Sequence, residues 1–507
     1  MLLATFVATC VLFVSVVIFR VYRSQRLLPS GPNPIPLIGN IKFPISRLDK
    51  FQLWAEEYPE VMTLRVWGQN VIVLNSFRAA SEILEKRAAS TSIRPQRPMC
   101  HELVGFKNTT SQTNDMVQHK VYRRLFLSAL SQRASQSFWA MEELEMRKAA
   151  LQMLTTPDKA KNALKRAISA IVFHVAYGYN IGTDGDSFVK RIEHFMGIYQ
   201  RLLRPAEFLV DIIPPLKHIP EGFPGASFKR TAREWKEMKE NIYEEPFQRV
   251  KRDMRAGNAL PSFTQHLLEE FPDQKTTTKY SEEHVRLAAG SIYTGGNDNN
   301  AASVQSLLAA IVLFPHVQAK AQAELDRVVG RERLPCIADL DNLPYCVAIV
   351  QELFRWHPAT PFALPHAMER DEEYLGYVLP KGATVFANVW AMTRDQTAYP
   401  SPEEFIPERY LSTQEDGSIK LKSGRSALAF GFGRRVCPGV NLAEAVAFAS
   451  LISILWSSTV SWPPGTENDP IEFETHGVHW PKEFPISFKE RFPDAMELLR
   501  GAIDVDK

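Results

Sequence analysis

The sequence predicts a mainly α-helical protein with a small β portion, on three observations. Alternating, β-branched segments are confined to residues 62–67 and 71–75. Helical patterning dominates residues 76–356, ahead of an irregular, proline-rich region. No repeat, low-complexity tract or second linker interrupts the chain from residue 37, so residues 37–507 read as one domain. A hydrophobic content of 45% and a charged content of 23% describe a globular protein with a large core. The net charge of +2 and the lack of basic tracts argue against nucleic-acid binding, and the mixed run 236–245 reads as a solvated helix face.

At the N-terminus, residues 1–19 carry no charged side chain and are followed by Arg20, Arg23 and Arg26. As a helix this stretch spans about 28 Å, close to the hydrocarbon thickness of a bilayer. A cleaved signal peptide would want charge before the apolar run and a small-x-small site after it, and the sequence has neither. Residues 1–19 therefore read as a transmembrane signal anchor, and the flanking arginines place the rest of the chain on the cytoplasmic side. Residues 20–36 form a basic linker in which Pro29, Pro32, Pro34 and Pro36 favour extended backbone. Such a linker either sets the angle of the domain to the membrane or simply connects the two.

The longest helical candidate starts at Ser281, a good N-cap, with Glu282 and Glu283 favouring the dipole in the first turn. It runs to Phe314 and is stopped by Pro315, a length of about 50 Å. In its middle lies Thr294-Gly295-Gly296-Asn297-Asp298-Asn299-Asn300, a poor helix sequence. A local rule broken inside a long helix points to a functional site.

Further on, Phe430-Gly431-Phe432-Gly433-Arg434-Arg435-Val436-Cys437-Pro438-Gly439 presents one cysteine ahead of an alanine-rich apolar stretch. The N-terminus of a following helix lowers a thiol pKa, which suits Cys437 to ligate iron. Gly433 and Gly439 allow backbone to pass close to a flat ring, Phe430 can lie against it, and Arg435 can pair with a carboxylate. Cys10, Cys100, Cys336 and Cys346 show no metal-site spacing and read as structural thiols. The ten-residue loop matches F-x-x-G-x-R-x-C-x-G, so the chain resembles the cytochrome P450 superfamily of haem-thiolate enzymes. That resemblance implies the cytochrome P450 fold, haem as cofactor and Cys437 as the axial ligand to its iron.

Other segments fall in family order. Glu352-Leu353-Phe354-Arg355 fits the family's E-x-x-R, and Pro407-Glu408-Arg409-Tyr410 resembles its P-E-R-F. In the family these build a buried structural network, here Glu352, Arg355 and Arg409. The same spacing at Glu283/Arg286, Glu324/Arg327 and Glu497/Arg500 reads as exposed helix pairs. His119 and Arg123 correspond to the W-x-x-x-R element that contacts haem propionates, with His replacing Trp, and His366 looks like a third such contact. His119 is otherwise a surface histidine.

The glycine-rich helix segment resembles the family's oxygen-activation motif: Gly295, Gly296 and Asp298 match, but Asn299 stands where threonine is usual. The acid and hydroxyl relay protons through water in a monooxygenase, whereas an amide orients water without readily passing a proton. Either Asn299 suffices with water, or the substrate supplies the hydroxyl, or the enzyme isomerises, dehydrates or couples its substrate without net oxygen insertion. A cap or kink in the helix is the structural alternative, and a catalytically silent haem protein the last.

The chain carries no flavin or nicotinamide domain, so the resemblance implies electrons from NADPH through a separate membrane-bound flavoprotein, NADPH-cytochrome P450 reductase. Lys120, Arg124 and Arg434 either guide that acidic partner or form plain solvated surface. Leu103, Val104, Phe106, Ile292, Phe362, Leu364, Val478 and His479 are the expected substrate contacts, and all but His479 are apolar, which implies a lipophilic small molecule. Residues 208–224 combine apolar side chains with prolines and suit contact with membrane lipid. Segments 71–76, 84–87, 223–230, 385–391 and 430–439 resemble fungal secondary-metabolism members, implying an endoplasmic-reticulum enzyme that oxidises a natural-product intermediate.

Overall fold

The helical signals become eleven helices of ten or more residues among the described part of the chain, together with short helical turns and small sheets. In chain order the helices are α1 (Leu48–Glu57), α2 (Met116–Leu130), α3 (Trp139–Thr155), α4 (Ala160–Tyr177), α5 (Ser187–Leu202) and α6 (Ser227–Ala256). They continue with α7 (Glu282–Leu313), α8 (Pro315–Val328), α9 (Pro344–Trp356), α10 (Val440–Ser457) and α11 (Ala495–Val505). This is a computed structural model, and it describes residues 27–35, 39–40, 46–179, 181, 187–270, 280–422, 427–466, 469–475 and 477–505. The expected anchor, residues 1–19, lies outside the described residues, as do residues 20–26 and 36 of the linker. The linker's described end is docked: the Ser30 carbonyl accepts from Thr63 N–H at 3.1 Å and the Leu27 carbonyl from Val378 N–H at 2.7 Å.

The main sheet contains β1 (Val61–Val66), β2 (Gln69–Leu74), β3 (His366–Ala367) and β4 (Thr384–Ala387), in the order β1-β2-β4-β3. β1 and β2 are antiparallel with Val61 opposite Leu74, β2 runs parallel to β4, and β3 is antiparallel to β4. The strands begin before the expected 62 and 71 because the turn is only Trp67-Gly68, with φ of 50° and 77°. Two left-handed residues in a row match the twist of a tight hairpin. One apolar cluster packs each side of this sheet, and a much larger one fills the helical body.

Helix α7 is the axis of that body and packs against α4, α6 and α10. Ser281 is its N-cap in extended conformation, and Phe314 ends it before Pro315 opens α8 at a 102° bend. The expected bounds hold, but no break appears at residues 294–300, which are helical throughout. Their polar side chains bond back along the helix: Thr294 Oγ1 donates to Gly290 O at 2.9 Å, and the Asn299 and Asn300 amides donate to Gly295 O and Gly296 O at 2.7 and 2.8 Å. Helix α10 has the length and hydropathy of a membrane span, yet 78% of it is buried within the protein, which makes it a core helix.

Candidate active site

Cys437 ends a loop whose geometry leaves little freedom. Gly433 has φ +60°, and a Cβ there would stand 2.1 Å from the Leu84 carbonyl oxygen, so this approach requires glycine. The Cys437 N–H closes the loop onto the Phe430 carbonyl at 2.8 Å, and the Phe430 ring meets Phe354 of α9 edge-on at 5.0 Å. Burial raises the Cys437 thiol above its ordinary pKa, against smaller lowering effects of the Gly439 N–H and the Arg123 charge. The lowering expected from the start of α10 is therefore outweighed in the protein alone. Cys100 and Cys346 are buried free thiols, both raised by burial, Cys100 to about 12.

Around the loop gathers a set of bases. Arg435 donates Nε to Ser92 O at 2.9 Å and its remaining groups to Thr110 O, Thr113 O and His119 Nδ1. Arg123 donates to Val436 O at 2.6 Å. His119 Nε2 meets the Arg434 carbonyl at 3.1 Å, so with Nδ1 accepting from Arg435 its one N–H is already spent. This corrects the expectation for His119. It is neither a surface residue nor a donor with an N–H to spare; burial, helped by Arg435, holds it neutral with a pKa of about 4. His366 Nδ1 lies 2.7 Å from Thr91 O, and burial lowers that ring to about 3.

Arg94, absent from the residues singled out in sequence, belongs to the same set. Its guanidinium donates to Ser111 O, Leu364 O and Pro365 O at 2.8–2.9 Å, and burial then Arg435 lower it to about 9. Its acceptors are backbone carbonyls, up to 271 residues away, so no local pattern marks it.

Glu352 and Arg355 are fully buried and joined by two parallel hydrogen bonds of 2.7 Å. Arg355 also donates to Thr393 O, Pro402 O and Glu404 O, which ties α9 to the segment that leads to the cysteine loop. Arg409 reaches Glu352 at 3.4 Å, a looser third member. Of the other E-x-x-R spacings, Glu283/Arg286 is an ion pair with an exposed carboxylate. Glu324 departs from expectation: it is buried and accepts the N–H groups of Tyr345 and Cys346 at 3.0 and 2.9 Å, capping α9.

On α7, Asp298 is raised by burial, with Lys165 and the Asn297 amide pulling it down and Glu193 pushing it up. Lys165 and Glu193 form a 2.8 Å ion pair at the surface between α4 and α5. Asn299, one position on, keeps a buried Oδ1 with no protein partner, and Gly295 beneath it is exposed although it sits in the central helix.

The family model for cytochrome P450 matches residues 29–488. The chain belongs to the cytochrome P450 family. Among its relatives, cytochrome P450 monooxygenase claR of Ampulloclitocybe clavipes is 35% identical over 94% of this chain and 89% of its own length. Cytochrome P450 monooxygenase 208 of Postia placenta is 32% identical over 95% of this chain and 94% of its own, and monooxygenase COX2 of Coprinopsis cinerea 33% over 94% and 90%. This P450 is thus an oxidoreductase of the monooxygenase type, with the haem that its family implies.

The residues fit a haem. Arg94, Arg123 and Arg435 are buried or half-buried cations, and among the described residues no carboxylate pairs with any of them, an arrangement suited to two propionates. A single thiol closes the adjoining loop.

Of the expected substrate contacts, Leu103 and Leu364 are half-buried, whereas Val104, Phe106, Ile292 and Val478 are buried. Phe106 stacks on Tyr199 at 4.6 Å. Two of the set are engaged within the protein. Phe362 packs on Phe51 at 4.5 Å in the cluster of the main sheet. His479 lies 2.8 Å from both Thr475 Oγ1 and His357 Nδ1, inside an aromatic box with Phe473 and Trp390. Both side chains are occupied in packing.

Proposed function

We propose that this P450 oxidises a lipophilic small molecule, a natural-product biosynthetic intermediate, at the endoplasmic-reticulum membrane. Electrons come from NADPH through a separate P450 reductase. The observation that carries the chemistry is on α7, where a half-buried acid, Asp298, adjoins an amide whose oxygen has no protein partner.

In this reading Cys437 holds the iron, while Arg94, Arg123 and Arg435 hold the propionates, with His119 orienting Arg435. When bound, haem supplies oxygen activation with electron density from the thiolate. Burial raises the pKa of the Asp298 carboxyl, which favours its protonated form, and the acid feels the Lys165–Glu193 pair at the surface through the field. Asn299 is a poor relay because an amide neither readily gives up nor takes up a proton; one Nδ2 hydrogen goes to Gly295 O, and Oδ1 accepts an O–H from water or substrate and fixes its position.

Thiolate ligation is tested by the reduced, carbon monoxide-bound spectrum, where an imidazole-type Soret band overturns the assignment of Cys437. Labelled dioxygen followed into product tests net insertion. Unlabelled product would instead favour rearrangement or coupling, the reading that the missing hydroxyl at position 299 supports.

A further inference from the structure

The turn of helix at Met99–Leu103 meets the short helix Leu209–Ile212 through the Met99 N–H and Asp211, and Arg97, two residues before Met99, lies within reach of the Asp211 charge. Arg97 is 5% exposed and its Nη1 is buried with no protein partner. Asp211, also 5% exposed, accepts the Met99 N–H on Oδ1 at 2.8 Å, while Oδ2 is buried with no protein partner. The Asp211 charge acts on Arg97 through the field, but no hydrogen bond or ion pair joins them among the described residues. Val210, next to Asp211, and Met99 and Cys100, in the turn after Arg97, are fully buried apolar side chains, so bulk water has little access to the pair.

Leaving a donor and an acceptor unmet in such surroundings commonly costs about 1–3 kcal/mol each. A side-chain shift would close the pair if stability alone decided. A group that satisfies both must accept from Arg97 and donate to Asp211. A carboxylate meets Arg97 but is repelled by Asp211, an ammonium does the reverse, and a ketone or ether leaves Oδ2 unmet. A hydroxyl does both at one oxygen.

We propose that Arg97 and Asp211 form a hydroxyl-binding subsite, and that the substrate of this P450 is a lipophilic alcohol. The substrate then arrives already oxygenated, so an earlier hydroxylation, hydrolysis or reduction supplies it. This rests on the reading of the chain as an oxidase of lipophilic small molecules. Arg97 precedes the helical turn that ends at Leu103, the half-buried apolar side chain expected to meet substrate.

The test uses the haem-loaded full chain and three probes of one length, 1-decanol, decane and decanoate, with binding followed by the Soret spin-state shift. The alcohol is expected to bind about tenfold tighter than either other probe, a difference of about 1.4 kcal/mol. Arg97→Met brings the alcohol-to-alkane ratio to about one, and Asp211→Asn shifts preference from decanol to decanoate, because both groups then donate. A second readout needs no ligand: Arg97→Met raises the melting temperature, since it removes an unmet buried cation.

Equal binding of the three probes by the wild-type protein, or binding of none, overturns the subsite. So does an Arg97→Met protein that melts lower with selectivity intact, which would mean a water-bridged structural pair. The underlying P450 reading fails differently, by loss of the thiolate-type carbon monoxide spectrum.

Discussion

Asn299 donates one amide hydrogen to Gly295 O and leaves an amide oxygen as acceptor where a relay wants a hydroxyl. Asn299→Thr restores a group that both donates and accepts. The expected outcome is a severalfold larger share of NADPH electrons recovered as product, measured by comparing NADPH consumed with product formed. Lost turnover would show that the enzyme uses the amide. Asp298 gives a second prediction. If its protonated form serves turnover, Asp298→Asn slows product formation on the order of 10²-fold. Burial raises its pKa, and Lys165 is the largest influence opposing that. Activity should therefore fall as pH rises through the raised pKa, and Lys165→Met should move that fall to higher pH in a pH–rate profile. His119 shows what residue identity alone conveyed. The family pattern marked it as a propionate contact, but its bonds to Arg435 and the Arg434 carbonyl were not legible, because they depend on a loop about 315 residues away.

Among the elements, the brace from α9 to the cysteine loop rests on Glu352, whose two oxygens serve Arg355 while Oε1 also takes the Ile406 N–H at 2.8 Å. Glu352→Ala strands a fully buried guanidinium, so denaturant titration should show a loss of about 3–5 kcal/mol. Arg409→Ala should cost clearly less, since Arg409 stands at 3.4 Å and also holds Ser401 O. Helix α3 carries the opposite case. Glu142 is 0% exposed, neither carboxyl oxygen has a protein partner, and burial then Glu143 raise its pKa well above the carboxylate range. An acid whose folded pKa is raised contributes stability that fades as pH climbs from the ordinary carboxylate pKa through the folded one. Glu142→Met should stabilise the protein by about 1–3 kcal/mol, with a larger gain at pH 8 than at pH 5 in thermal melts. The bounds of α7 were legible because Ser281 and Pro315 are local signals. The capping of α9 by Glu324 was not, since it joins two helices that sequence presents only as neighbours; the spacing to Arg327 suggested a pair that burial overrides.

At the scale of the molecule, the apolar side chains that stay exposed include Trp67 at the hairpin turn and Leu209, Ile213 and Phe223 in residues 208–224. The two regions are tied together, because Gln69 Nε2 donates to the Asp211 carbonyl at 3.1 Å. Charges within 208–224 are partly committed: Lys217 pairs with Glu102, and Glu221 with Arg233. A bilayer meeting this surface would therefore gain from apolar area more than from charge, and the two contributions separate by salt. The body from Leu27 onward has its own core, so a chain lacking residues 1–26 should still bind neutral phosphatidylcholine vesicles in a flotation assay. Exposed charge pairs are screened beyond about 10 Å at 0.1 M salt, whereas apolar insertion is not, so this binding should persist in 0.5 M sodium chloride. Leu209→Ser with Phe223→Ser should weaken it about tenfold, because each buried apolar side chain of this size contributes about 1.5–3 kcal/mol when fully removed from water and less when partly inserted. Binding that disappears in salt while the double variant leaves it unchanged would assign membrane contact to basic residues elsewhere on the surface.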